Sequence, residues 1–69
     1  EANIRRADMR EANLFGTDFN LADIRGANLS YTDLENANLA GADMREARTL
    51  DARFCNTKMP NQEINHSGC

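Results

Sequence analysis

Tryptophan is missing from the 69 residues, and aromatic side chains of every kind make up only 6%. So little ring bulk excludes a conventional core built around large aromatics, and so short a chain allows one small domain at most. Histidine occurs once, at His66, and there is no glycine-rich phosphate loop and no Ser-His-acid spacing. The common nucleophilic and phosphoryl-transfer sites are thereby excluded, and no enzyme activity is expected. Charge of neither sign dominates: eleven acids against eight bases leave −3, which is neither a polybasic surface for nucleic acid nor a polyacidic tail. No apolar run is long enough to span a membrane or to act as a signal segment. Cys55, His66 and Cys69 lack a fourth ligand and close Cys-x-x-Cys spacing, so neither a metal nor another cofactor is expected.

The chain does have a five-residue rhythm. Read in fives from Ala2, it runs ANIRR, ADMRE, ANLFG, TDFNL, ADIRG, ANLSY, TDLEN, ANLAG, ADMRE, ARTLD, ARFCN and TKMPN. The first position of every unit is Ala or Thr. The third is Ile4, Met9, Leu14, Phe19, Ile24, Leu29, Leu34, Leu39, Met44, Thr49, Phe54 and Met59, apolar but for Thr49. Five residues of α-helix advance about 140°, which would smear these side chains around the cylinder. In a flat strand an odd spacing would send them to alternate faces. First and third positions must therefore point the same way along a short extended side, and the fifth must bend the chain to restore the phase. Such a chain winds up, because no single side can bury its own apolar residues, and successive windings pair as parallel strands about 4.8 Å apart. The chain starts at Glu1 without Met and already in register, so it reads as a processed or excised piece of a longer protein.

This A-[DN]-L-x-x run resembles the pentapeptide-repeat family through twelve consecutive units over residues 2–61. The resemblance implies an all-β fold, a right-handed quadrilateral parallel β-helix with four repeats to each coil. The expected division is a β-helix over 1–61, about three coils, and an irregular C-terminal cap over 62–69. With that phase Ile4, Ile24, Met44 and also Ile64 stack, as do Met9, Leu29 and Thr49. Leu14, Leu34 and Phe54 form a third stack, and Phe19, Leu39 and Met59 a fourth. The late units depart from the pattern at Arg48, Arg53, Lys58 and Thr49, and a local bulge with Leu50 turned inward is expected there.

Function must then be written on the outward positions. Arg5, Arg25 and Arg45 fall in one vertical stripe beside Asn3, Asp23 and Asp43, while Arg48, Arg53 and Lys58 form a basic collar on three successive sides. The plain reading is a solvated charge ladder of little energetic weight. The sharper one is a surface for an acidic partner. The tail after Met59 abandons the rhythm and is placed to cap the open end, anchored by Met59 and Ile64. A Cys55–Cys69 bridge would close that cap and favour periplasm or thylakoid lumen. Two reduced thiols in the cytosol are the other reading. The tail also resembles the Cys-bearing C-termini of some cyanobacterial members of the family.

These readings point to a non-catalytic structural or interaction module with an unidentified protein partner. No small-molecule substrate, nucleic acid or membrane is expected. The family also implies an alternative, since members that confer quinolone resistance mimic DNA on gyrase. Three coils rising only about 15 Å and the Arg stripe both count against it. Only Glu1 precedes Ala2 and Ile4, so an apolar end formed by Ile4, Met9, Leu14 and Phe19 is expected to pair head to head in a homodimer through the N-terminal coil.

Overall fold

In the computed structural model, which describes residues 3–69, a β-turn closes every five residues from Ile4 to Ala52. Glu1 and Ala2, the first of the small residues in the register, lie outside the described residues. The first turn is closed by Ala7 N–H donating to the Ile4 carbonyl at 3.1 Å, and the same bond recurs at Ala12, Thr17, Ala22 and beyond. The fifth position takes a left-handed φ each time, from Arg6 at 60° through Gly16 at 67° and Tyr31 at 62° to Asn56 at 53°. A turn of type II demands positive φ at its third residue. Most residues placed there are not glycine and carry a strain that the rest of the winding must hold in place.

Each second-position residue pairs in parallel with the one 20 residues on, from Asn3 with Asp23 to Asn38 with Lys58. Backbone bonds such as Ile4 N–H to the Asp23 carbonyl at 2.8 Å and Arg6 N–H to the Arg25 carbonyl at 2.9 Å knit the windings together. Four turns separate paired residues, so the chain has four short sides.

The fourth-position N–H is bonded in another way. The Asp or Asn two residues earlier accepts it, as when Asn38 Oδ1 receives Ala40 N–H at 3.0 Å and Asn13 Oδ1 receives Phe15 N–H at 3.1 Å. The bond recurs from Asn3 to Asp43. The Asn/Asp preference is thus a backbone requirement, met by an Asx turn. Ala40 is buried whereas Phe15 is exposed. Asn38→Ala should therefore cost about 1–2 kcal/mol, and Asn13→Ala less, because water can replace the lost acceptor at Phe15. Urea unfolding of the two variants measures the difference.

Third-position Leu14, Phe19, Ile24, Leu29, Leu34 and Leu39 are buried, with first-position Ala22, Ala27, Ala37 and Ala42 between them. Ile4, Met9, Met44, Phe54 and Met59 pack on this cluster while partly exposed. Leu14 and Phe19 are shielded within the chain, so only Ile4 and Met9 of the four expected end residues are half open. Thr32 and Thr57 replace Ala in the first position and donate at 2.7 Å to the carbonyls of Leu29 and Leu34.

Two expectations need correction. Leu50 does not turn in: it is 61% exposed, while Asp51 keeps the left-handed φ and Ala52 N–H closes the usual turn on Thr49. Turn geometry outweighs the burial of one leucine. Ile64 does not join the Met44 stack, because the chain reverses before reaching it. Strand β1, Thr57–Lys58, pairs antiparallel with β2, Ile64–Asn65, in a register of Thr57 with Asn65 and Lys58 with Ile64. This hairpin leaves Ile64 47% exposed and gives the tail regular structure. Farther on, Gly68 N–H donates to the Phe54 carbonyl at 2.7 Å, and Cys55 and Cys69 form a disulfide with Cα atoms 4.8 Å apart. Glycine is required at 68, where a Cβ would stand 2.9 Å from the Phe54 nitrogen.

Candidate interaction surface

The interior is filled by the chain's own side chains, so the outward positions are where chemistry is available. On the first side the second and fourth positions are two residues apart in extended backbone and project together. Arg25 therefore lies flat beside Asp23, donating from Nε to Oδ1 at 2.9 Å and from Nη2 to Oδ2 at 2.8 Å. Arg45 grips Asp43 in the same way, at 2.9 and 2.7 Å. The next winding adds a second, longer contact: Arg5 reaches Asp23 at 3.6 Å and Arg25 reaches Asp43 at 3.8 Å. On the second side Arg10 grips Asp8 at 2.9 and 2.8 Å.

These forks set the protonation of the carboxylates. The hydrogen bonds from the Arg25 side chain, above all other causes, lower the Asp23 pKa from 3.8 to about 2, and those from Arg10 do the same for Asp8. Asp43 is lowered by Arg45. An unfolded chain takes up these protons near the ordinary value. The contribution of the pairs is therefore complete above pH 3.8 and is lost as pH falls through about 2. Solvent screening keeps that contribution small. Carboxyl carbon NMR should find Asp23 titrating near pH 2, returning toward 3.8 in Arg25→Gln.

Arg5, Arg25 and Arg45 share one cavity of about 260 Å3 with Arg6, Gly26 and Glu46. Arg48 lines the neighbouring recess with Arg6, Asp8, Arg10, Gly26 and Glu46. Arg48, Arg53 and Lys58 stand on three successive sides, each paired with the residue 20 places earlier. The collar is uneven in charge: Arg53 pairs with Asp33 at 3.3 Å and with Glu35, while Lys58 lies exposed in β1.

Arg6 and Arg10 join the stripe from outside its column. Arg6 holds a fifth position, which bends the chain yet carries a side chain wherever glycine is absent, and its adjacency to the next side's second position is the signal in the sequence. Arg10 holds the fourth position of the second side, where Asp8 and Arg10 repeat the spacing of Asp23 and Arg25. Other large apolar residues stand exposed on outward positions, notably Phe15, Leu21 and Tyr31. Among the described residues no cluster of three metal-ligating side chains is present, and no helix is long and apolar enough to cross a membrane.

A family model described as pentapeptide repeats matches this chain in eight copies over residues 1–30 and 22–59. Among solved structures, the chain is similar to HetL, a pentapeptide repeat protein involved in heterocyst differentiation regulation from the cyanobacterium Nostoc sp. strain PCC 7120. The identity is 30% and the TM-score 0.46, over 93% of this chain and 37% of that one. The chain thus spans little more than a third of that protein's length. Comparison with curated protein sequences gives no match.

Proposed function

The chain belongs to the pentapeptide-repeat family, and from that premise we propose that it is a non-catalytic protein-interaction module, wound as a right-handed quadrilateral β-helix of about three coils. The observation that carries this reading is the division of labour within each repeat. First and third positions are spent on packing and the second on holding the backbone, which leaves flat sides bearing ordered side chains. Flat sides of this kind suit the broad contact of a protein partner better than enclosure of a small substrate. The disulfide supports an oxidising compartment such as periplasm or thylakoid lumen.

The gyrase alternative has less support. Its mimicry calls for a uniformly acidic side, whereas this chain gathers arginines on one edge. The interaction reading is tested by placing a photo-crosslinking residue on each side in turn, at Arg45, Leu50, Glu35 and Asn20. Crosslinking in the source cells should give a protein adduct from one or two sides. No adduct from any side would overturn the reading.

A further inference from the structure

The edge between the first and second sides is chemically unlike the rest of the molecule. Arg5, Arg6, Arg10, Arg25, Arg45 and Arg48 meet there, six of the eight basic residues in a chain of net charge −3. Among the described residues they face five acids, Asp8, Glu11, Asp23, Asp43 and Glu46. Positive charge is in excess on this edge and negative charge over the remainder.

The arginines are not equivalent. Arg10, Arg25 and Arg45 each hold a carboxylate two residues earlier through Nε and Nη2. These guanidiniums are fixed in plane by that grip, so little side-chain entropy is left to lose on binding. Arg5 is the exception in the stripe. The residue two places before it is Asn3, whose Oδ1 accepts the Arg5 backbone N–H at 3.2 Å, and among the described residues its one ion pair is the 3.6 Å contact with Asp23. Arg6 and Arg48 make no ion pair among the described residues. Gly26 sits in the corner column between Arg6 and Glu46 and leaves a notch there; a Cβ on it would stand 3.3 Å from Arg6 Cγ.

We infer that this edge, on the interaction-module reading above, receives an acidic segment of the protein partner, with one of its carboxylates completing the fork at Arg5 and Arg6. The ladder is one carboxylate short at that place, and every complete fork on the edge shows the geometry that the missing one requires. A carboxylate segment fits better than a nucleic-acid backbone. A run of phosphates along the stripe would lie over Asp23 and Asp43, whereas a peptide can bring a single carboxylate to Arg5 and Arg6 and present uncharged residues to the rest. Arginine forks recognise carboxylates in two-pronged geometry, and charge complementarity of this kind sets register and partner choice.

The test is fluorescence anisotropy with a labelled peptide of alternating Glu and Ser, at about 50 mM salt. An oligothymidylate of equal length serves as the polyphosphate arm. The peptide should bind saturably, lose about tenfold in affinity in the Arg5→Gln/Arg6→Gln variant, and stay within about twofold in Arg53→Gln. The oligonucleotide should bind more weakly than the peptide. Absence of saturable peptide binding, equal losses in Arg53→Gln, or tighter binding of the oligonucleotide would each overturn the proposal. The crosslinking experiment separates the two claims. Adducts that persist undiminished in Arg5→Gln/Arg6→Gln remove the edge and leave the module standing. Peptide binding without adducts from any side removes the module.

Discussion

Replacing both Cys55 and Cys69 by alanine, or reducing the bridge between them, should lower the unfolding free energy by about 3 kcal/mol. The bridge joins residues 14 apart in sequence and pins the tail across Phe54, where Gly68 already bonds. Without it the β1–β2 hairpin must be held by a few backbone bonds of its own, and two-residue strands are marginal in water. The edge of the last winding is then intermittently bare, which should also raise the tendency to aggregate. Denaturant unfolding with and without reductant measures the loss, with the double alanine variant as control. An unchanged midpoint would mean that the hairpin and Met59 hold the tail by themselves.

A loss of similar size is expected at the centre of the winding. Leu34 is fully buried, stacked between Leu14 and Phe54. Leu34→Ala should cost about 2–5 kcal/mol, because the rigid turns at both ends of the side prevent collapse around the cavity. Stability of a chain this length is about 3–10 kcal/mol in total, so a sizeable fraction of the variant should be unfolded at room temperature. Leu50→Ala, by contrast, removes the same side chain from an exposed place and should stay within about 0.5 kcal/mol. Calorimetry of the pair decides the matter. Equal losses would mean that the repeat does not assign burial as the structure describes it.

That contrast also marks how far residue order alone could be read. Burial at Ile24, Leu29, Leu34 and Leu39 was legible, because an apolar residue returning every five positions admits few backbones. The function of the second position was not. Asp and Asn there read as side chains that merely face water, and only the placement of the fourth-position N–H reveals Asn38 as an acceptor. Leu50 stays outside because the phase of the turn, and not its hydrophobicity, sets its direction. Ile64 was misread because the reversal at Pro60–Gln62 depends on turn bonds, such as Gln62 N–H to the Met59 carbonyl, that no periodicity encodes. At the candidate surface the stripe of Arg5, Arg25 and Arg45 was visible from the repeat. The pairing of Arg53 with Asp33 and Glu35, and the entry of Arg6 and Arg10, depend on which neighbours each guanidinium reaches.

The pairing of every second position with the residue 20 places later has a consequence for change in length. Duplicating a block of 20 residues within the winding keeps each side chain above its former partner and only makes the molecule taller. Duplicating five residues turns everything downstream by one side, so Arg45 would move off the column of Arg25 and leave the shared cavity. Gain or loss of one residue shifts every left-handed corner onto a neighbour and moves the buried positions outward. Lengthening in this architecture is therefore quantised. The coarse step conserves both core and surface, the intermediate step conserves the core while reshuffling the surface, and the single step conserves neither.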